Sequence, residues 1–186
     1  GFRAATPAEF AFSGAFVLTN GTGTDRYPIR AATDAAVVGQ PLTEAEVRAV
    51  LEEAYRVMSR ARGQIRKPVD SRAQVTISVV DTFGAVLGLV RAPDAPVFGT
   101  DVSLQKARTV AFFSNPLAAE QLAGDVDAEI PDCVQRARDF FGEPSALTGR
   151  IAFGARSIGN LSRPHFPDGE VGRAPGPFAR HDLETV

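Results

Sequence analysis

Lys106, Arg108 and Thr109 are the residues whose types and spacing come closest to a binding chemistry. Lys106 and Thr109 stand three apart, a spacing that makes them neighbours on one helix surface. Leu104, Ala107 and Ala111 form the stripe that would pack such a helix against a sheet. Two cations and a hydroxyl beside small apolar residues suit a flat ligand with carboxylate tails, which needs apolar walls, a few placed polar groups and cationic partners. A plainer reading exists. Both cations can be solvated while Thr109 bonds back to its own helix, and residue types alone favour that reading.

Asp81, Arg91 and Asp94 form a second set, with the aspartates as acid/base groups and the arginine as an anion clamp. Asp81 also begins Asp81-Thr82-Phe83-Gly84, so a turn residue bonding local amides is the favoured account. His165, between Pro164 and Phe166, is a candidate metal ligand or base; a loop histidine filling a gap beside Phe166 is the favoured account. His181 lies near Asp182 and Glu184, and neither histidine has a partner at metal-ligand spacing. Cys133 is the single cysteine, which excludes an intrachain disulfide and a Cys-rich metal site. Gly21 and Gly23 lack the Lys-Ser/Thr pair and following helix of a phosphate loop.

The elements that must position these groups are centred on residues 74–113. Val75, Ile77 and Val79 alternate with Thr76, Ser78 and Val80, the period of a strand. Gly84 can take a positive φ in the turn, and residues 85–90 read as the returning strand of a hairpin. A loop with two prolines leads to a helix from about Asp101 to Phe113, stopped by Asn115-Pro116. Upstream, Thr43-Glu44-Ala45-Glu46 is a capping box for a helix to Arg62, with an apolar stripe of Val47, Val50, Leu51, Ala54, Met58 and Ala61. Its Glu52 and Glu53 are adjacent and diverge on a helix, so they read as a solvated face. Arg66 and Lys67, in the connection that follows, could meet an anionic group or simply be solvated. Phe10, Phe12, Phe16 and Leu18 share a parity and predict an N-terminal strand. Short helices are expected from Pro116 to Leu122 and from Asp132 to Phe141, with a short strand around 151–153.

These residues resemble the GlcG/HbpS-like heme-binding family. The resemblance rests on Ser78-Val79-Val80-Asp81-Thr82-Phe83-Gly84, then Arg91-Ala92-Pro93-Asp94-Ala95, then Ser103 and Lys106-Ala107-Arg108-Thr109-Val110. It covers about Leu42 to Leu122. Asp94 follows Arg91 by one residue more than usual, and Val110 stands where alanine is usual. The resemblance implies an oligomeric subunit holding haem or a related tetrapyrrole, with Lys106, Arg108 and Thr109 as cofactor-binding residues. An alternative is an enzyme subunit on the same scaffold acting on a small carboxylated or ring substrate at an inter-subunit pocket, with a cleaved precursor as one origin. The expected fold is α/β (α+β): an antiparallel sheet with the long helix and the Lys106 helix packed on one side.

Composition sets the outer bounds. A hydrophobic content of 44% can fill a core, and a net charge of −2 gives no electrostatic reason to expect nucleic acid. No run reaches the roughly 18 apolar residues of a membrane span. The chain divides into a strand-rich extension over 1–40, an incomplete core over 41–158 and a Pro/Gly-rich segment over 159–186. Arg163-Pro164-His165-Phe166-Pro167-Asp168-Gly169 and Pro175-Gly176-Pro177 resemble an insertion in long family members that precedes the last strands of the sheet. Those strands have no counterpart here, so a second polypeptide is expected to supply them, in a homo- or hetero-oligomer. The compartment stays open, with an exported location favoured.

Overall fold

A computed structural model describes residues 1–127 and 129–180. Its nine elements run β1 (Phe2–Ala4), β2 (Phe16–Leu18), α1 (Glu44–Arg60), β3 (Thr76–Val80), β4 (Val86–Arg91), α2 (Gly99–Phe113), α3 (Ala118–Ala123), α4 (Glu129–Phe141) and α5 (Ala155–Leu161) among the described residues. The chain separates into two compact units, residues 1–108 and residues from 109 onward.

The first unit is built on a four-stranded sheet of order β1-β2-β4-β3. Every pairing is antiparallel, so the fold class is the expected mixture of antiparallel sheet and helices. The β3–β4 hairpin sets Thr76 opposite Arg91 and Ser78 opposite Leu89, with an irregularity at Val79/Val80. Gly84 closes its turn at a φ of 74°, the left-handed conformation expected from its type. β4 is buried along its whole length, which fits its apolar run and its place between two neighbours.

Helix α1 begins at the capping box: Thr43 Oγ1 accepts from the Glu46 amide at 3.3 Å, and Glu46 Oε2 accepts from the Thr43 amide at 2.8 Å. Its buried stripe is Val47, Leu51, Tyr55 and Met58. Val50 is half exposed, so Tyr55 takes the place that the apolar pattern gave to smaller residues. The reason is polar: Tyr55 donates its hydroxyl hydrogen to Gly14 O at 2.7 Å and stacks on Phe12 at 5.1 Å. Ile77 and Val79 of β3 pack into the cluster that holds this stripe. A Cβ at Gly88 would lie 2.7 Å from Leu51 Cδ1, so the bare glycine lets α1 approach β4.

Successive strand residues point to opposite faces. Ile77 faces α1, whereas Ser78 hydrogen-bonds Ser103 of α2 at 2.7 Å and Leu104 packs on Val86 and Leu89. The helices are therefore shared between the two faces instead of lying on one. The parity that suggested a strand from Phe10 to Leu18 is realised only from Phe16, because Gly14 turns the chain at a φ of 86° and Phe10 is buried outside the strand.

The second unit is helical and Phe-rich. Phe153 meets Phe113, Phe141 and Phe178 at centroid distances of 6.2, 6.0 and 6.0 Å. Helix α4 buries Cys133, Val134 and Ala137. Residues 151–153 form no strand. A helix, α5, follows there instead, and its Leu161 carbonyl accepts from the Phe178 amide at 2.9 Å. That bond folds the Pro/Gly-rich segment back onto α5.

Candidate functional site

Beside β3, within the first unit, lies a groove of about 580 Å³. The start of α2 supplies Gly99, Val102, Ser103 and Lys106, the preceding loop supplies Pro96 and Phe98, and the strand side supplies Val75 and Thr76. The connection after α1 adds Gln64, Ile65 and Arg66. The volume is that of an ordinary small-molecule site. Ile65 and Phe98, both on this lining, are 96% and 70% exposed. Val102 and Lys106 are four apart on α2 and share a face. Their spacing gives the groove an apolar wall with an exposed ammonium at its rim. The lining residues include no Asp, Glu, His or Cys.

Arg66, also on this lining, is already engaged. It forms an ion pair with Asp94 and donates to the Asp94 carbonyl at 2.7 Å. Asp94 is thereby held at the mouth, with its side chain 80% exposed. Arg91 is not among the lining residues; it is 5% exposed, donates to the Ala95 carbonyl and is placed 4.1 Å from the Phe2 ring centre. Burial lowers the pKa of its guanidinium, opposed by the charge of Asp94.

Asp81 is not in the groove. Its Oδ2 accepts from the Thr33 amide and hydroxyl at 2.9 and 2.6 Å, and its Oδ1 from the Phe83 and Ala85 amides at 3.0 and 2.9 Å. Asp34 returns the arrangement, accepting from the Thr82 amide and hydroxyl at 3.0 and 2.8 Å. The result is a reciprocal clasp between residues 33–34 and 81–82. Burial pushes the Asp81 carboxyl up, but the donors from Thr33, Ala85 and Phe83 outweigh it and hold the group below the usual carboxylate range.

Arg108 is separated from Lys106. Its Nε donates to Gly84 O at 3.0 Å, and it lines a different cavity of about 420 Å³ with Arg26, Tyr27 and Arg30. Thr109 follows on α2 as a half-buried residue at the start of the second unit. His165 is held in the loop, its Nδ1 3.4 Å from Arg173 O. His181, Asp182 and Glu184 lie outside the described residues. No group of three or more His, Cys, Asp or Glu that could hold a metal exists among the described residues. Burial pushes the Cys133 thiol up, with Arg136 and Asp132 pulling in opposite directions, so it is a protonated core residue.

Of the predicted residues Lys106 lines the groove; Asp94 reaches it only through its ion pair with Arg66, Arg91 only as the register partner of Thr76, and Arg108 and Asp81 lie elsewhere. Phe98, Val102 and Ser103 escaped the sequence reading as site residues. The Val102–Lys106 spacing is a signal that could have found one of them. Phe98 carries none, because an apolar residue in a loop before a helix reads as core.

A sequence model of the family described as haem degrading protein HbpS-like matches residues 50–154, more than half of the chain. That span contains most of the groove's strand and helix residues. No curated protein matches, and no solved structure matches.

Proposed function

The chain belongs to the haem degrading protein HbpS-like family, and from that premise we propose that it binds haem or a related tetrapyrrole in the groove beside β3. The observation that carries this reading is the groove itself: apolar walls from Val75, Phe98 and Val102, with Lys106 at the rim as partner for a carboxylate tail. Lys106 is the contact supported by placement. Arg108 and Thr109 enter the proposal through the motif they share with it, Arg108 from its own cavity.

The residues fit the ring and its acids better than the iron. The lining holds no His, Cys, Met or Tyr, the side chains that usually ligate haem iron. Bound haem would supply redox chemistry at its iron, while this chain's own groove residues supply apolar contact, exclusion of water and charge neutralisation. With no carboxylate or imidazole in the lining, acid–base turnover of a small carboxylated substrate is the weaker reading.

Titration of the purified chain with haemin tests this. A saturable Soret shift is expected, with affinity reduced about tenfold in Lys106→Ala, the loss of one charge-assisted contact. Turnover of a carboxylated substrate by a protein that gives no Soret shift would favour the enzyme reading instead.

The proposal includes a partner strand. β3 is the last strand of the sheet order and pairs only with β4 among the described residues. The Ala92 amide donates to Val75 O at 3.0 Å, so the alternation of an antiparallel ladder turns the backbone groups of Thr76, Ser78 and Val80 outward. An edge of this kind is a template for another strand, and we propose that a second polypeptide occupies it. Native mass spectrometry is expected to show an oligomer. A bare monomer across the micromolar range would remove this part of the proposal.

A further inference from the structure

Three buried polar atoms have no hydrogen-bond partner: Thr76 Oγ1, whose residue lines the groove, and Arg91 Nε and Thr100 Oγ1, whose residues do not. They belong to one place. Thr76 stands directly opposite Arg91 in the β3–β4 register, so the two side chains rise from the same face of the sheet. That face carries α2, whose second residue is Thr100. The preceding residue, Gly99, lies against the Thr76 hydroxyl: a Cβ there would be 3.7 Å from its oxygen. Arg91 and Thr100 are 5% and 9% exposed. Thr76 and Gly99 also line the groove, which connects this cluster to it.

The donor set is specific. Arg91 is buried, and none of its polar contacts is an ion pair: it donates to a carbonyl and packs on an aromatic ring. Asp94, the nearest acid in its electrostatics, is paired with Arg66. A buried cation without an ionic partner is costly, and buried polar groups in native proteins are almost always satisfied. The helix amides contribute little, since those of Gly99, Thr100 and Val102 bond back to Pro96, Val97 and Phe98 at 3.0, 3.2 and 3.1 Å. What remains is one guanidinium N–H and two hydroxyls, each able to donate to a negatively charged acceptor.

We propose that Arg91, Thr76 and Thr100 form a receptor for a carboxylate group that reaches them from the groove. The assignment rests on the groove as a ligand site but not on the ligand being a tetrapyrrole. It divides the labour of recognition: the inner acid of a ligand is held by the buried cluster, and Lys106 takes what lies at the rim.

The test uses the full chain and propionate, with propionamide as the neutral isostere, at matched ionic strength in titration calorimetry and thermal melts. Propionate is expected to bind and to raise the melting temperature, and propionamide to do neither. T76V and T100V preserve shape and are each expected to weaken propionate about tenfold or more, the scale of a hydrogen bond to a charged group. Without propionate these variants should melt at or above the wild-type temperature, because each removes an unpartnered buried hydroxyl. R91K keeps the charge and loses the Nε geometry, and should weaken propionate as well.

Equal responses to propionate and propionamide, or wild-type propionate affinity in both threonine variants, would overturn the receptor and leave a buried water as the partner of these atoms. Haemin separates this from the wider reading. Arg91-dependent propionate binding without haemin binding would keep the receptor and remove the tetrapyrrole. Haemin binding unchanged in T76V and T100V, with no propionate response, would do the reverse.

Discussion

Replacing Asp81 with alanine is expected to destabilise the first unit by about 3 kcal/mol, the scale of losing the hydrogen bonds to one charged group. The carboxylate accepts from four donors, and Asp81 itself is 4% exposed. Deleting it leaves the Thr33, Phe83 and Ala85 donors without their acceptor, at a cost of about 1–3 kcal/mol for each that water cannot reach. Asparagine is an informative intermediate. Its oxygen can serve the Phe83 and Ala85 amides, but its amide group would then face the Thr33 amide donor against donor, while the Thr33 hydroxyl can turn to accept. Equilibrium denaturation at pH 7 should therefore rank wild type above Asp81→Asn and Asp81→Ala below both.

The pH dependence has a definite sign. The folded-state pKa of Asp81 lies below its ordinary value, so the folded protein binds this proton more weakly than the unfolded chain does. The stabilisation is then fully present above the unfolded value of about 3.9 and is lost as pH falls through the folded value. The gap between wild type and Asp81→Asn should be constant from pH 7 to about pH 5 and should narrow below about pH 4. A gap that widens on acidification would mean the clasp does not hold an ionised carboxylate.

Gly176→Ala carries the second large effect. A Cβ at this position would lie 2.2 Å from the Leu161 carbonyl oxygen and 2.7 Å from its carbon. Both are backbone atoms at the end of α5, and that carbonyl already accepts from the Phe178 amide. A flexible side chain could swing away from a new methyl; this carbonyl can move only if the return of the 175–179 segment is undone. The expected cost is about 3 kcal/mol, the upper end of ordinary overpacking. It should appear as early proteolysis in residues 163–180, while Gly159→Ala, with no atom within 4 Å of its Cβ position and no positive φ, leaves that segment protected. Equal protease sensitivity of Gly176→Ala and the parent chain would show that the segment does not pack as described.

Much of the first unit was legible in the sequence because local signals and tertiary demand agree there. The capping box at Thr43–Glu46, the left-handed Gly84 and the alternation of β3 each follow from residue chemistry, and each is present. Where the reading differs, a longer-range contact decides. Phe10 and Phe12 keep strand parity, yet the turn at Gly14 delivers Phe12 to Tyr55 instead of to a ladder. Tyr55 joins the buried stripe of α1 through a bond to Gly14, 41 residues away, which no helical period reveals. The site is legible only in part for a related reason. Lys106 could be placed on a helix surface from spacing, whereas the separation of Arg108 depends on its bond to Gly84, 24 residues earlier. The cluster of Thr76, Arg91 and Thr100 depends on strand register; the sequence singles out Arg91 as an anion clamp but carries no sign of the two threonines.

The account turns on the groove beside β3, and haemin titration of wild type against Val102→Trp tests that location most directly. Val102 shares the groove-facing side of α2 with Lys106, so an indole there fills the space while Asp81 and the charge of Lys106 are unchanged. The expected result is a saturable Soret shift for the wild type and its loss, or at least a tenfold weaker affinity, in a Val102→Trp protein that melts normally. Wild-type haemin affinity in that variant would place the ligand somewhere else and contradict the account.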